Sequence, residues 1–157
     1  MRRMMATLFA GALLLSSAAA VSADSTSIVD PIVCDFFLGG SMTVEPGSAV
    51  VVRSGWFAST RGQVVSFMRA STWVLSVDGT SIDVTPYLVG PTQLDHRYWV
   101  VMWNYPAGTL SLGETMDVHM DIVLNHPNFE GSFLTPAGSA LNGPVDCEVT
   151  GAPSPEE

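Results

Sequence analysis

The chain contains no lysine, only two cysteines, and no apolar run long enough to cross a bilayer as a helix. Without lysine it has no Schiff-base residue and no lysine-activated nucleophile. The motifs G-x-S-x-G, H-E-x-x-H, G-x-x-x-x-G-K and the dinucleotide glycine fingerprint are also missing. These absences predict a non-catalytic protein that needs no cofactor. A metal-dependent or carboxylate hydrolase is the catalytic alternative, although no pair of acidic residues stands out by its spacing.

The first residues have the pattern of an export signal. Arg2 and Arg3 precede the apolar run "MMATLFAGALLL", and "SSAAAVSA" then supplies the small residues of a cleavage site. We predict a signal peptide over residues 1–23, cleaved after Ala23, with Ala20 as the alternative site. The mature chain is therefore expected to be secreted, periplasmic or at the cell surface, without membrane insertion.

The mature chain is strongly acidic. Loss of the signal peptide leaves four arginines against fifteen acidic residues, a net charge of about −11 with histidine neutral. A surface of this sign repels phosphate backbones, so nucleic acid is not an expected partner. The charge leaves cationic ligands, metal ions and neutral glycans open. The partner itself is unknown, and the candidates are a glycan and a cell-surface protein. We expect a monomer.

Cys34 and Cys147 lie far apart in the sequence, and neither belongs to a C-x-x-C motif. In an exported protein this pattern predicts a structural disulfide that joins the first and last strands of the domain. In the chain-entropy model, a closed loop of about 114 residues stabilises the fold by roughly 4–5 kcal/mol. A redox-active or metal-binding thiol pair is the alternative.

Most apolar residues of the mature chain recur with a period of two, which is typical of short strands joined by turns. The segment "IVCDFFLGG" is predicted as the first strand, and "SMTVEPGSAVVVRSGWFA" as two strands around the turn at 45–47. The segment 116–124 alternates apolar and polar residues, as a half-buried antiparallel strand does. "PVDCEVTG" is predicted as the last strand.

The clearest hairpin is "TWVLSVDGTSIDV", because Asp78-Gly79 is a strong two-residue turn signal. The predicted pairs put apolar residues of both strands on one face, with Trp73 in the core. These pairs are Val77 with Thr80, Leu75 with Ile82, and Trp73 with Val84.

Residues 61–70 break the alternation, with Val64, Phe67 and Met68 at helical spacing and Ser59 or Thr60 as a cap. We predict a short helix there, a long loop over 125–143, a single domain over 24–150 and a disordered tail over 151–157. The predicted fold is all-β, a two-sheet antiparallel β-sandwich, with a small β-barrel as the alternative.

The segments "TVEPGSAVVVRSGW", "GQVVSFM", "SVDG", "YPAGTLSLGETMDVHMDIVL" and "CEVTG" run in order over most of the mature chain. They resemble the secreted immunoglobulin-like β-sandwich domains of bacteria, whose function is uncharacterised. The resemblance implies the fold and carries over no activity and no catalytic residue. The chain departs from antibody-type domains, in which a core Trp follows the first Cys closely, since Trp56 comes 22 residues after Cys34.

The most aromatic stretch is "DHRYWVVMWNYPAG", Asp95 to Gly108. In an extended strand Trp99, Val101, Trp103 and Tyr105 point to one side, and Tyr98, Val100 and Met102 to the other. Both sides are apolar, so we expect a central strand with one side in the core. The other side is covered by the 125–143 loop or the 61–70 helix, or it stays open as a binding platform, and we favour the covered arrangement.

We predict a non-catalytic binding or adhesion module. The alternative is a carbohydrate-binding module that stacks sugars on aromatic rings beside polar partners. Its candidate ligand-binding residues are Trp99, Trp103, Tyr98, Asp95, His96 and Arg97. His119 and Asp121 share one strand face and are the candidate metal ligands, although a solvated strand face accounts for the same pattern.

Overall fold

The computed structural model describes residues 25–129, 134–135, 137–138 and 144–153. The predicted signal peptide, most of the 125–143 loop and the tail beyond residue 153 lie outside these ranges. The helices are α1 Pro31–Leu38 and α2 Arg61–Ala70, and a 3₁₀ turn spans Thr85–Tyr87. The strands are β1 Thr26–Val29, β2 Ser41–Val44, β3 Ala49–Ala58, β4 Ser71–Val77, β5 Thr80–Ile82, β6 Leu88–Leu94, β7 Tyr98–Thr109, β8 Thr115–Leu124, β9 Asn128–Phe129, β10 Leu134–Thr135 and β11 Val145–Gly151.

Two sheets form a sandwich, as predicted. The four-stranded sheet has the order β1-β3-β7-β6, and the five-stranded sheet has the order β2-β11-β8-β4-β5. Neither sheet closes into a barrel within the described ranges. The inner pairs are antiparallel, whereas the edge strands β1 and β2 pair in parallel with β3 and β11. No helix among the described residues is long and apolar enough to span a membrane.

The strict alternation of β8 builds one wall of the core. Its inward side chains are all nearly inaccessible to solvent, which confirms the predicted half-buried strand. These side chains are Met116, Val118, Met120, Ile122 and Leu124. Val50 and Val52 of β3 and Trp103 of β7 belong to the same core cluster and supply the facing wall.

Helix α2 lies against the inner side of both sheets and confirms the predicted helix at 61–70. Thr60 caps its first turn with a reciprocal capping box, in which the Gln63 amide N–H donates to the Thr60 hydroxyl and the Thr60 amide N–H donates to Gln63 Oε1. Phe67 is fully buried and stacks on Trp56 at 4.5 Å between ring centroids. Its ring also meets Trp73 edge to face. The helix therefore anchors an aromatic cluster that joins the two sheets.

The prediction of a strand over "IVCDFFLGG" is wrong, because this segment forms α1. The Asp30 side chain accepts a hydrogen bond from the Ile32 amide at 3.0 Å, and Pro31 occupies the first turn, where its missing N–H is not needed. Gly39 ends the helix in the left-handed conformation at φ 74°. These capping signals outweigh the apolar run that suggested a strand.

Cys34 and Cys147 form the predicted disulfide, with 5.7 Å between their Cα atoms. Cys34 lies on α1, so the bridge fastens a helix, and not the first strand, to β11. Both cysteines are buried in the core.

The turn at Asp78-Gly79 has positive φ at both residues, as a type I′ hairpin requires. Leu75 pairs with Ile82 and Val77 with Thr80, as predicted. The predicted Trp73–Val84 pair lies beyond the end of β5, where Asp83 accepts a hydrogen bond from the Thr85 amide and turns the chain.

Candidate binding surface

The outer surface of the four-stranded sheet is built from the strand positions that alternate with the core. In β7, Val101 and Trp103 point inward, so Tyr98, Val100 and Met102 point outward. This confirms the predicted division of the aromatic stretch between two faces. The register of the sheet sets outward residues of neighbouring strands beside these three. We call the resulting surface the apolar face, and its apolar members are Ile28, Val51, Phe57, Val89, Leu94, Tyr98, Val100 and Met102.

The apolar face is open to solvent. Phe57 is 64 % exposed and Tyr98 is 44 % exposed, and Ile28, Val89 and Leu94 are also about half exposed. Within the described ranges no element covers these side chains. Helix α2, which we considered as a cover, packs on the inner side through Phe67. Much of the 125–143 loop, the other cover that we considered, lies outside the described residues, so a cover by this loop stays a prediction.

The face is nearly free of charge. Its four strands contain no acidic residue and a single basic one, Arg53. The Arg53 Nε–H donates to Asn104 Oδ1 at 2.6 Å across the β3–β7 pair. No carboxylate of the described chain lies within 4.0 Å of the guanidinium, since the single ion pair found there is His119–Asp146. Among the described residues, Arg53 thus has no carboxylate partner and lies beside apolar side chains.

The opposite outer surface, on the five-stranded sheet, has the reverse character. The strands β8 and β11 place their polar positions outward, side by side in register. These positions include four carboxylates and one histidine, on Asp117, Asp121, Asp146, Glu148 and His119. We call this surface the acidic face. The sandwich therefore keeps its strand carboxylates on one side and its open apolar side chains on the other.

His119 and Asp121, the predicted metal ligands, do point to the same outer face. His119 Nδ1, however, lies 2.8 Å from Asp146 Oδ1 of the neighbouring strand. The described residues contain no group of three or more His, Cys, Asp or Glu side chains that could hold a metal ion. These residues form a hydrogen-bonded pair, His119 with Asp146, on a solvated face. The described residues therefore give no support to a metal site here.

The six candidate sugar-binding residues do not share one surface. Trp103 is 0 % exposed and meets Trp73 edge to face, so its indole has no open side on which a sugar could stack. Trp99 faces the same inner side and is half-buried, whereas Tyr98 faces outward. Asp95, His96 and Arg97 lie exposed in the β6–β7 turn, where both Asp95 and His96 have positive φ.

Phe57 was missing from the sequence-based candidates, although it is the most exposed member of the apolar face. Its ring meets the Tyr98 ring at 5.7 Å and an interplanar angle of 74°. The alternation of "AVVVRSGWFA", with Val52 and Trp56 facing the core, was the signal that could have placed Phe57 and Arg53 on the outer side. What the alternation does not give is which strands flank β3 in the sheet.

A second apolar patch lies on α1. This helix buries only Pro31 and Cys34 and leaves most of its large side chains exposed. The exposed members are Val33, Phe36, Phe37 and Leu38, of which Phe37 is 77 % exposed. Leu38 borders a cleft that Glu148 also lines, so this patch, unlike the apolar face, adjoins the acidic one.

A cleft of ≈ 450 Å³ lies beside α2 and β4, lined in part by Trp73, Asp83 and Thr85. The Thr85 side chain and amide donate hydrogen bonds to Asp83 and lower the pKa of its carboxyl group below the ordinary value. Hydrogen bonds from Ser111 lower the pKa of Glu114 in the same way, on a different turn. A general acid needs a raised pKa, so neither carboxyl group is tuned for that role.

Comparisons with known proteins do not identify a function for these surfaces. No family model, no curated protein and no solved structure matches the chain.

Proposed function

We propose that this chain is a non-catalytic exported binding module and that the apolar face is its contact surface for a protein partner. Export rests on the predicted signal peptide, with which the Cys34–Cys147 disulfide is compatible. The observation that carries the proposal is the open apolar face on a sheet whose strands lack any carboxylate.

The size of the face supports this function. Five large apolar side chains exposed by about half and three half-buried ones form a patch within the roughly 300–600 Å² of the largest patches on typical monomers, which are often functional. A specific protein interface takes roughly 800 Å² from each partner, so the face is large enough to form its apolar centre.

A carbohydrate-binding module is the less favoured function. Sugar rings stack on aromatic rings that lie in one plane, and the exposed pair Phe57 and Tyr98 meets at 74°. The face also offers few hydrogen-bonding groups, with Arg53 and Asn104 already bonded to each other. Both features suit an apolar protein surface better than a polyhydroxylated ligand.

Binding of the fluorescently labelled exported protein to intact cells of its source organism tests the proposal. We expect saturable binding by the wild type and a loss of at least about 30-fold in affinity for Phe57→Asp, the effect of removing a central anchor. The matched control is Phe37→Asp on α1, which makes the same change at an exposed phenylalanine away from the face and should bind as the wild type does.

Equal binding by the wild type and a folded Phe57→Asp variant would overturn the assignment of the apolar face. A thermal unfolding midpoint that rises with a polysaccharide, and in the wild type only, would favour the sugar-binding function instead.

A further inference from the structure

We propose that the partner of the apolar face is a second copy of this chain, bound face to face about a twofold axis. The inference rests on the proposed function only for the identity of the contact surface. It adds the occupant, the symmetry and the residue pairs that meet, and it replaces the sequence-based expectation of a monomer.

The distribution of charge favours a second copy at this face in particular. A dimer formed through the acidic face would bring eight strand carboxylates together. At the apolar face the strands contribute no acidic residue, and the acidic faces of both copies point away from the interface. Stacked sheets pack about 10 Å apart, and the dimer would stack four sheets between the two acidic faces. The acidic faces would therefore lie several Debye lengths of about 8 Å apart and repel each other little.

The register of the sheet gives the face two outer rows that are equally distant from a central one. Gly55 and Met102 are paired in the central row. Arg53 with Asn104 forms the row on one side, and Phe57 with Val100 forms the row on the other. Successive rows lie about 6.6–6.8 Å apart, since outward residues are two positions apart along a strand.

We place the twofold axis in the plane between the two sheets, running along the central row and across the strands. Rotation about this axis exchanges the two outer rows. Arg53 of one copy then meets Phe57 of the other, and the reciprocal contact follows from the symmetry. A guanidinium over an aromatic ring is a favourable cation–π contact, and it needs no carboxylate. This contact would suit Arg53, which has no carboxylate partner among the described residues and whose Nε donates to Asn104.

The central row is shaped for close approach of two sheets. A Cβ atom at Gly55 would lie 2.8 Å from Met102 Cγ, so the methionine side chain lies across the glycine. Gly55 adds no side chain of its own at the axis, and methionine adapts readily to irregular contacts. The Gly55–Met102 pair therefore adds a single flexible side chain to the face, beside Val89 in the same row.

The α1 patch is the weaker candidate for self-association. It adjoins Glu148, and Asp35 lies on the same helix. A twofold contact through this patch would bring both carboxylates of each copy near those of the other. Such like charges disfavour association.

Sedimentation velocity of the exported protein, with its disulfide intact and at about 1–200 µM, measures the association. We expect a wild-type dimer and a dissociation constant at least about 30-fold higher for Phe57→Lys, because the variant places a second positive charge against Arg53 of the other copy. Phe37→Lys is the matched control and should keep the wild-type dissociation constant. Near-ultraviolet circular dichroism shows whether each variant retains the native packing.

Met102→Cys tests the axis itself without disrupting the face. A residue beside a twofold axis meets its own copy, so this variant should be cross-linked between copies by a short bis-maleimide, whose span of about 10 Å matches the spacing of stacked sheets. Val74→Cys, on an exposed position of the five-stranded sheet, should not.

A wild type that remains a monomer at 200 µM overturns the inference, and so does a dimer that Phe57→Lys leaves intact. Loss of the dimer through Phe37→Lys would overturn it in favour of α1. The binding assay on cells is a separate measurement with variants at the same two positions. A monomeric wild type that binds cells through Phe57 would therefore defeat the second copy as partner and keep the proposed function.

Discussion

Two phenylalanines of the same sandwich should differ sharply in what they contribute to stability, because one is buried and the other is not. Phe67 is 0 % exposed and contacts Trp56 and Trp73, whereas Phe57 keeps most of its surface in water. Substitution of each by alanine removes the same atoms. The comparison therefore isolates burial from residue type.

Phe67→Ala should lower the free energy of unfolding by about 3–5 kcal/mol, the range found when a buried phenylalanine leaves a cavity behind. The two tryptophan rings that contact Phe67 belong to strands of different sheets, β3 and β4, so the site cannot collapse easily. For a mature chain of about 134 residues, the entropy of unfolding near 60 °C is roughly 0.28 kcal/mol/K. The expected fall in the thermal midpoint is then about 10–18 °C.

Phe57→Ala should change the free energy of unfolding by no more than about 0.5 kcal/mol, as surface substitutions do. Both variants are compared with the wild type by urea and thermal unfolding at low protein concentration, where self-association contributes least. A loss below about 1 kcal/mol for Phe67→Ala, or equal losses for both variants, would refute the assignment of α2 and its aromatic cluster to the core.

Three further predictions concern the disulfide, the helix cap and acid. The double variant Cys34→Ala/Cys147→Ala should lose roughly 4–5 kcal/mol in urea unfolding, and a loss near zero would contradict the loop-closure argument for a bridge spanning 113 positions. Thr60→Ala should cost about 0.5–2 kcal/mol and Thr60→Ser much less, because serine keeps the hydroxyl that accepts from the Gln63 amide. The lowered pKa values of Asp83 and Glu114 mean that the folded state holds fewer protons on them, so stability is present above their unfolded pKa values and declines as pH falls below about 5. Asp83→Asn/Glu114→Gln should lose less stability than the wild type between pH 7 and pH 3, and an unchanged pH dependence would contradict these shifts.

The parts of the fold that the sequence predicts are those governed by local rules. Alternation in 116–124, the Asp78-Gly79 turn and the capped segment at 61–70 each depend on neighbours within a few positions, and each is confirmed. The prediction of a strand over 31–38 is wrong because the apolar residues of this segment do not mark a buried face; most of them are exposed. A helix that hides only Pro31 and Cys34 shows no apolar stripe facing the core, and its caps were the better signal.

The candidate site was less predictable, because it depends on which strands become neighbours. Alternation correctly separated Tyr98 from Trp103, yet the face also needs Phe57 and Leu94, which lie on β3 and β6. Pairing of distant strands is a tertiary outcome, and no local pattern in one sequence specifies it. Two of the predicted stacking residues, Trp99 and Trp103, instead point to the inner side of β7.

The stability of an isolated sandwich does not explain why the residues of the apolar face are apolar. The core requires apolar residues only at inward positions, and the five-stranded sheet shows that outward positions of this same fold accept aspartate, glutamate and histidine. An open apolar sheet surface is a liability for aggregation, which charged residues ordinarily reduce. This chain has fifteen acidic residues and places none on the four strands of that sheet. A surface kept apolar against both considerations supports the proposed contact. Arg53, which has no carboxylate partner among the described residues, sets a condition that the proposed covering surface has to meet.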